Sequence, residues 1–551
     1  MNCKQALAGL AAISLAASAV AQPAAPPAPV FSADAFRAHV TFLADDLLEG
    51  REAGTRGYDI AARYVATQFE ALGLRPAAAG QWQQPVALGR FTMAGTPTIT
   101  VNGRLLTQGR EMIMRTSPDT RALALDAGLV FVGYGLDMPS HGYDDYRGLD
   151  VRGKIVVAIS GTPIGTPSDV AAHLNSDKRR MAAARGAVGM ITLRTRADIA
   201  RTPWARLAGF ANRPTTTWLE PDGTPNADAG TLRFSATLDD SAAELLFQGA
   251  RRQLGAVLDE TARAGARPRG FALRPIAHVA RDGATVVRSA SSNVVAMLPG
   301  SDPSLAGEYV LLMAHLDHLG IRERPGAAGE AAADRINNGA MDNATGIATL
   351  IEVARQMTRD GTRPRRPILF AAVTAEEKGE LGADYLAHHP IVDGRIVSVV
   401  NLDMPILTYD FQDVIAFGAE HSTMGPIVRR AAARMGVALT PDPLPEQGLF
   451  TRSDHYQFVM EGVPSVFLMT GFAGDGRRQF TRFLDTLYHS PGDDLRQAFN
   501  WQAGAKFAQL NYLIAREIAD GDAVPLWYRG SFFGDAFGGR QPRAAPEPAG
   551  N

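Results

Sequence analysis

The sequence predicts an α/β fold, with a mixed, mostly parallel central sheet that carries helices on both faces. From Ser291 onward, apolar segments of strand length alternate with helical segments, among them "YVLLMAH", "PILFAAV" and "RIVSVVNLD". Between the first two lies "GIATLIEVARQM", whose apolar residues recur at helical spacing. Strands that are apolar throughout are typical of parallel sheets buried on both faces, whereas half-exposed strands alternate with polar residues.

The composition is that of an ordinary globular protein. The chain has 551 residues, of which 46% are hydrophobic and 20% charged, and its formal net charge is -2. That length allows two or three domains with substantial cores. The near-neutral charge gives no electrostatic reason to expect nucleic acid as a partner, and no later segment is apolar enough to predict a membrane span. Oligomeric state is left open.

The first thirty residues have the pattern of an export signal. A short Lys4-bearing start precedes an apolar stretch, and Ala19-Val20-Ala21 follows as a small-residue cleavage site. We therefore expect residues 1–21 to be a signal peptide and residues 22–30, "QPAAPPAPV", to be a Pro/Ala linker. A membrane anchor is the weaker reading because the apolar stretch is short. Cys3 is the only cysteine, so the mature chain would have none, as fits a periplasmic or secreted protein without disulfides.

The remaining chain divides by its patterns. Residues 31–125 form the first part of the main domain, with one helix predicted from the N-cap Ser32 to Gly50 and another over about Thr55 to Leu72. Residues 126–281 have a β-rich character that indicates a separate, inserted module. Residues 282–522 carry the alternating strands and helices, and residues 523–551 are predicted to be an irregular tail.

Groups suited to bind a divalent metal follow three successive predicted strands. In an open α/β sheet, ligands bind beyond the carboxyl ends of the strands. The residues at those ends are His315, Asp317 and His318 after the first strand, Glu376 and Glu377 after the second, and Asp403 after the third. Two loops add Asp342 in "GAMDNATG" and His489 in "YHSPGDD". His, Asp and Glu ligands without cysteine suit Zn²⁺ in a catalytic site.

Each of these residues alone has a plain structural interpretation. Asp342 could cap the following helix, and Asp403 could be a turn residue at a strand end. Asp493 and Asp494 are interpreted as caps of the final helix. The joint occurrence favours a metal site, because structural explanations would require several separate coincidences.

The two adjacent glutamates can take two different roles, one as a metal ligand and one as a general base. A metal pair about 3.5–4 Å apart can polarise a carbonyl and hold a hydroxide between its members. One carboxylate must then bind metal, while another stays free to take a proton from the water. Consecutive side chains at a strand end point in different directions, so Glu377 is predicted to be the ligand and Glu376 the general base.

Taken in order, "HLDHLG", "GAMDNATG", "TAEEKGELGADYL", "NLDM", "RSDHYQFVMEGVPSV" and "YHSPGDD" closely resemble metallopeptidase family 28. That family includes di-zinc aminopeptidases, with glutamate carboxypeptidase II and glutaminyl cyclase as relatives. The resemblance covers about Ser291 to Asp520 and implies a zinc-exopeptidase (phosphorylase/hydrolase-like) fold for the main domain. The region 126–281 resembles a protease-associated domain.

The resemblance implies two zinc ions per chain and a role for each site residue. Asp342 would bridge the ions, His315 and Asp403 would complete one shell, and Glu377 with His489 the other. Asp317 would orient His315, and Glu376 would be the base and later the acid that protonates the leaving amine. A cis peptide bond is expected after Asp342.

The substrate pocket is less well defined by the sequence. "RSDHYQF" is expected to line it, with His455 either contacting substrate or supporting the site. Aromatic residues from Phe450 to Phe458, and Phe472, could supply apolar pocket walls or belong to the core.

Three functions are compatible with these residues. The favoured one is an exported zinc exopeptidase acting on peptides or small proteins, in particular an aminopeptidase. The alternatives are a glutaminyl cyclase, which uses one zinc, and a non-catalytic receptor-like protein of the same fold. Neither an H-E-x-x-H helix nor a G-x-S-x-G elbow is present. Side-chain preference, and the choice among aminopeptidase, dipeptidase and carboxypeptidase, are left open.

Overall fold

The structure is a computed structural model and describes residues 31–226, 230, 232–322 and 334–547. The predicted signal peptide and Pro/Ala linker lie outside the described residues. Within the described ranges, no helix is both long and apolar enough to cross a membrane.

Twenty-two strands lie within the described ranges and are numbered in chain order: β1 Arg75–Pro76, β2 Gln83–Met93, β3 Thr98–Val101, β4 Arg104–Thr107, β5 Met112–Met114, β6 Leu123–Phe131, β7 Asp137–Met138, β8 Tyr143–Asp144, β9 Ile155–Ile159, β10 Gly189–Leu193, β11 Thr215–Trp218, β12 Ser235–Leu238, β13 Phe271–Arg281, β14 Ala284–Leu298, β15 Glu308–His315, β16 Gly320–Ile321, β17 Ile336–Asn337, β18 Ile368–Val373, β19 Arg395–Leu402, β20 Asp413–Phe417, β21 Ala438–Thr440 and β22 Ser465–Thr470.

The α-helices of the same described residues are α1 Ala33–Leu43, α2 Arg56–Ala71, α3 Ser168–Ala184, α4 Arg196–Arg201, α5 Trp204–Ala208, α6 Asp240–Leu246, α7 Leu254–Thr261, α8 Thr345–Arg359, α9 Leu381–His388, α10 Met424–Ala433, α11 His455–Met460, α12 Gly476–Thr486, α13 Trp501–Asp520 and α14 Phe532–Phe537.

The main sheet is mixed, as predicted. Its strand order is β11-β2-β14-β18-β15-β19-β22-β20-β21, with β1 paired to β14. The central strands β18, β15, β19 and β22 are parallel. Antiparallel pairing flanks them, because β14 runs opposite to β18 and β20 runs opposite to β22. The parallel strands therefore end at one edge of the sheet, where the predicted ligands follow them.

Strand β18 shows why its residues are apolar throughout. All six of its residues are buried. Ile368, Phe370 and Ala372 join a core beneath α1, α2, α8, α10 and α13, whereas Leu369, Ala371 and Val373 join a second core beneath α9 and α11. Since successive side chains of a strand point to opposite faces, only a fully apolar segment can lie between two helical layers.

The N-terminal segment departs from its predicted helix. Ser32 caps α1, its hydroxyl accepting the Ala35 N–H at 3.2 Å, as expected. The helix ends at Leu43 rather than Gly50, because Asp45 caps a new helical turn at Asp46–Arg51. The second helix is close to its predicted range, and the Thr55 side chain caps it.

A second sheet forms most of the inserted region. Its order is β4-β3-β13-β6-β9-β10-β12-β5. It begins at Thr98 rather than at residue 126, because β13 pairs with both β3 and β6. One segment leaves this region: β11 adds an edge strand to the main sheet by pairing with β2.

The C-terminal segment is more ordered than the irregular tail that was expected. It contains the short helix α14 and the fully buried side chains of Trp527 and Phe533. The Trp527 indole N–H donates to the Gly462 carbonyl at 2.8 Å, which ties this segment to the main domain.

Candidate metal centre

Asp342 lies between two groups of potential metal ligands. On one side, His315 Nε2 is 3.2 Å from Asp342 Oδ1 and 3.1 Å from Asp403 Oδ1. On the other side, His489 Nε2 is 3.4 Å from Asp342 Oδ2 and 3.2 Å from Glu377 Oε2. All five predicted ligands are thus brought together, and the Asp342 carboxylate is common to both groups.

The loop that carries Asp342 is held by a carboxylate from the far end of the chain. Asp493 is fully buried, and its two oxygens accept the main-chain N–H groups of Met341 at 2.8 Å and Asp342 at 3.0 Å. The predicted role of Asp493 as a cap of the final helix is wrong, because Asn500 caps α13 instead. Asp493 therefore positions the residue shared by the two ligand groups.

Asn343 connects the Asp342 loop to the strand end that carries Asp403. Its side-chain oxygen accepts the N–H groups of Gly346 and Met404, and its amide donates to the Leu402 carbonyl at 2.9 Å. The Asp342–Asn343 peptide bond is cis, as the resemblance implied.

Asp403 is held from a third element. The Ser453 hydroxyl donates to Asp403 Oδ2 at 2.6 Å and accepts from Asn401 at 2.7 Å. The other carboxylate oxygen, Oδ1, faces His315. The "RSDHYQF" segment thus takes part in the site by orienting a ligand.

Asp317 acts differently from the expectation. Its main-chain carbonyl, rather than its carboxylate, accepts the hydrogen bond from His315 Nδ1 at 3.1 Å. This bond leaves Nε2 of His315 directed at Asp342 and Asp403. The Asp317 carboxylate instead accepts the Glu376 N–H at 3.1 Å, and burial raises its pKa to about 6. Asp317 therefore links the first ligand loop to the adjacent glutamates.

Glu376 stays outside both ligand groups, whereas its neighbour Glu377 is inside one. Burial raises the pKa of Glu376 well above its usual range, and the negative charge of Glu377 adds to this effect although His315 opposes it. A carboxylate with a raised pKa is a stronger base than an ordinary one, as the acceptor of a proton requires. The two adjacent side chains are therefore separated into different environments, as predicted.

The charges of the ligands complement one another. Burial alone would raise the pKa of Asp342, but hydrogen bonds from His315 and His489 hold it well below its usual range. Burial and Asp342 would likewise raise the pKa of Glu377, yet His318 and His489 lower it to about 2. The same contacts raise the pKa of His489 to about 10, against the effect of its burial. Ionised carboxylates facing imidazoles in a buried site are a donor set that fits divalent zinc.

His318 follows the same strand as His315, but the set of ligands assigned from the sequence did not include it. Its Nδ1 is 2.6 Å from Glu377 Oε1 and 4.0 Å from Asp342 Oδ2, and its side chain is completely buried. His318, Asp342 and Glu377 form one of the groups whose ligand atoms lie within 4.8 Å of one another. The signal was present in "HLDHLG", where a second histidine follows His315.

His455 is not part of the ligand groups found among the described residues. It is fully buried, with its ring centroid 5.4 Å from that of Phe450 and 5.7 Å from that of Phe467. Burial lowers its pKa to about 3. Phe450 and Phe458 are also core residues, so these side chains pack the fold rather than line an open pocket.

A further group of possible ligands lies apart from Asp342. It consists of Asp169, Glu420 and His421, and it is partly exposed. The His421 Nε2 atom is 3.5 Å from Asp169 and 3.7 Å from Glu420. The contact with Asp169 brings α3 of the inserted region against the main domain.

Comparison with known proteins finds a family profile that matches the part of the chain that carries the site. Residues 293–515 match the profile of peptidase family M28, and the ligands around Asp342 all lie in this range. The curated protein "Probable leucine aminopeptidase 2" of Aspergillus fumigatus is 26% identical over 227 residues, or 38% of this chain and 41% of that protein. The chain thus matches about two fifths of that relative's length.

Two solved structures are also similar. An aminopeptidase from Aneurinibacillus sp. has a TM-score of 0.49 and 20% identity, covering 89% of this chain and 94% of that one. BSAP, a zinc aminopeptidase from Bacillus subtilis, has a TM-score of 0.44 and 17% identity, covering 90% and 97%. The stretch of this chain that is similar to peptidase family M28 begins in β14 and ends in α13.

Proposed function

We propose that the protein is an exported, zinc-dependent aminopeptidase that uses two metal ions to release N-terminal residues from peptides. The observation that carries this proposal is the sharing of Asp342 by two ligand groups, with Glu376 beside them but in neither group. The match to peptidase family M28 over residues 293–515 supports the reaction class.

His315 and Asp403 would hold one ion, Glu377 and His489 the other, and Asp342 both. When bound, a zinc pair polarises a carbonyl oxygen and lowers the pKa of water. The protein's own part is to keep the ligands at fixed distances. Asp493 accepts a hydrogen bond from the Asp342 main chain, and Asn343 in the same loop accepts one from Met404, next to Asp403.

Glu376 would carry the proton during hydrolysis. It would take the proton of the attacking water and deliver it to the amine that leaves when the peptide bond breaks. Its raised pKa suits the first step, because a carboxylate with a higher pKa is a stronger base and takes up a proton more readily. The Asp317 carboxylate would hold the Glu376 main chain in place.

Aminopeptidase action is favoured over the alternatives. The name of the curated relative includes "leucine aminopeptidase", which supports apolar N-terminal residues as the first substrates to test. A cyclase with one zinc would not need two groups of ligands around Asp342, and a non-catalytic relative would not need to retain every predicted ligand. Export and a protease-associated identity for the inserted region rest on the sequence patterns.

The proposal is tested by metal content and by hydrolysis of aminoacyl p-nitroanilides. The chain without residues 1–21 should bind two zinc ions and cleave leucine p-nitroanilide, and a chelator should abolish the activity. The N-acetylated substrate is the control, because an aminopeptidase requires a free amine. Cleavage of both substrates would contradict an aminopeptidase, and one tightly bound ion would favour the cyclase.

A further inference from the structure

A short segment outside the family match contacts the loops that carry the metal ligands. It is the 46–52 loop, Asp46–Glu52, which precedes α2 and lies far in sequence from residues 293–515. Glu49, Gly50 and Arg51 have successive φ angles of 50°, 70° and 49°. Positive φ is costly for residues other than glycine and persists only where the surrounding structure demands it. The contacts of the loop with the surrounding structure must therefore hold it in this conformation.

The loop is pressed against the ligand loops. A Cβ atom on Gly50 would lie 2.5 Å from the Asn337 carbonyl oxygen and 2.9 Å from Gly320 Cα. No side chain fits there without displacing main chain. Gly50 thus allows the main chain of the 46–52 loop to approach the segment that precedes Asp342 and the segment that follows His318.

Arg51 is the centre of this contact. Its guanidinium is buried, with 1% of the residue exposed, and donates to four main-chain carbonyls. Nε donates to Leu316 at 3.0 Å, Nη1 to Asn338 at 2.5 Å, and Nη2 to Gly339 at 3.1 Å. A further bond from Nη1 reaches Leu43 at the end of α1. Leu316 lies between His315 and Asp317, and Gly339 precedes the Asp342 turn, so one side chain joins two ligand loops.

Other groups of the 46–52 loop add contacts to these two loops and reach the loop that carries Glu377. The Arg51 carbonyl accepts the main-chain N–H of His318 at 3.2 Å. The Asp46 carboxylate accepts from the Asn338 side chain at 2.7 Å, and Glu52 accepts from Lys378 at 2.7 Å, directly after Glu377. The 46–52 loop therefore forms hydrogen bonds to the three loops that carry His315, Asp342 and Glu377.

The charge of Arg51 also matches its surroundings. Burial lowers its pKa to about 10, while Asp493, Asp317, Asp342 and Glu377 oppose that decrease. The guanidinium thus stays protonated at neutral pH beside a site rich in carboxylates. Its hydrogen bonds nevertheless go to carbonyls, which indicates that it fixes the main chain of the loops rather than neutralising one acid.

We propose that Arg51 is a positioning residue of the metal centre, which sets the distance between the His315 loop and the Asp342 loop through its hydrogen bonds to their main chains. This inference rests on the proposed metal-binding function. It predicts that residues 293–515 alone do not form a complete site, because the group joining these loops comes from the 46–52 loop. Groups that orient metal ligands typically change metal affinity by about 10–100-fold when removed.

The test compares zinc affinity in the full chain and in variants. Arg51→Met removes the bonds, and Arg51→Lys keeps the charge but cannot reach three separated carbonyls. The matched control is Arg366→Met. Arg366 is equally buried and donates to the carbonyls of Ile518 and Gly521, but it lies at the opposite end of the sheet. Zinc affinity is measured by competition with a chromophoric chelator, and the ligand geometry by the absorption spectrum of the Co²⁺-loaded protein.

Both Arg51 variants should bind zinc about 10–100-fold more weakly and show an altered Co²⁺ spectrum. Arg366→Met should lower thermal stability but leave the zinc affinity and the spectrum unchanged. Folded Arg51 variants with wild-type zinc affinity would overturn the inference alone. A wild-type chain that binds no zinc would overturn the proposed function itself.

A measurement on the wild-type chain covers the case in which neither Arg51 variant folds. Amide hydrogen exchange is followed with and without zinc for peptides spanning the 46–52 loop and for peptides around Arg366. The inference expects zinc to slow exchange in the 46–52 loop and not around Arg366. Equal exchange with and without zinc in the 46–52 loop would refute it.

Discussion

Replacing Glu376 and Glu377 one at a time by glutamine should separate catalysis from metal binding. Each change removes one carboxylate charge and keeps the shape of the side chain. Glu376 lies in neither ligand group, whereas Glu377 lies 2.6 Å from His318 and 3.2 Å from His489. The two adjacent positions should therefore respond in opposite ways.

The expected size of the Glu376→Gln effect follows from its role. A positioned general base contributes about 10²–10⁴-fold to the rate, or about 3–5 kcal/mol of the activation barrier. The Glu376 main-chain bond to Asp317 is retained in the variant, so the loop should keep its conformation. We expect kcat to fall by about 10²–10⁴-fold while zinc content stays at the wild-type value.

Glu377→Gln should mainly weaken zinc binding, and its loss of activity should follow from the loss of metal. The amide cannot carry the negative charge that His318 and His489 stabilise, so the second ligand group is weakened. The loss of zinc affinity should be at least the roughly 10–100-fold seen when a residue outside the ligand set is removed. Activity should then recover in part when zinc is added in excess, which is not expected for Glu376→Gln.

The assay is zinc content after dialysis, together with the rate of leucine p-nitroanilide hydrolysis over a range of added zinc. Circular dichroism spectra of both variants provide the control for folding. If Glu376→Gln lost zinc in step with activity, or if Glu377→Gln kept both ions, the assignment of the two glutamates would be wrong.

Three further predictions follow from the structure, two on the metal centre and one on His173 in α3. Asp342→Ala should lower zinc content from two ions per chain towards none, because both groups share this carboxylate; atomic absorption would detect it, and a retained pair would exclude a bridging role. Asp493→Asn should weaken zinc binding by about 10–100-fold, although Asp493 is not one of the ligands. The reason is that one of its two oxygens becomes an amide nitrogen, which cannot accept a main-chain N–H. Calorimetric titration with zinc measures the affinity, and an unchanged affinity would contradict this prediction. Burial lowers the pKa of His173 to about 4. Between pH 6.5 and 4 the unfolded chain therefore binds a proton that the folded chain does not. The free energy of unfolding should fall by up to about 3 kcal/mol as the pH falls through this range. His173→Gln should lose this part of the pH dependence in urea unfolding, and an identical slope in both proteins would refute the assignment.

Much of the site could be predicted from local patterns. The buried strands can be recognised in the sequence, because a strand between two helical layers must be apolar on both faces, as Ile368–Val373 is. In a parallel sheet the ends of such strands share one edge, so His315, Glu377 and Asp403 could be brought together before any coordinates were known. Asp342 and His489 followed from their loop motifs and the family resemblance.

The roles of several other residues depended on contacts that no local pattern reveals. Asp493 looked like a helix cap, yet it holds a loop that lies 151 positions away in sequence. Arg51 directly follows Gly50, the predicted end of the first helix, and its partner Asn338 is 287 positions distant. Strand β11 lies within the inserted region in sequence but pairs with β2 of the main sheet.

The sequence by itself determined the fold class, the strand ends and the chemical identity of the ligands, because periodicity and residue type are local properties. The tertiary structure alone decided which main-chain groups hold those ligands in place. A buried carboxylate or guanidinium must find hydrogen-bond partners wherever the fold supplies them, and these partners are set by packing rather than by neighbouring sequence. This is why Asp493 and Arg51 became recognisable as parts of the site only in three dimensions.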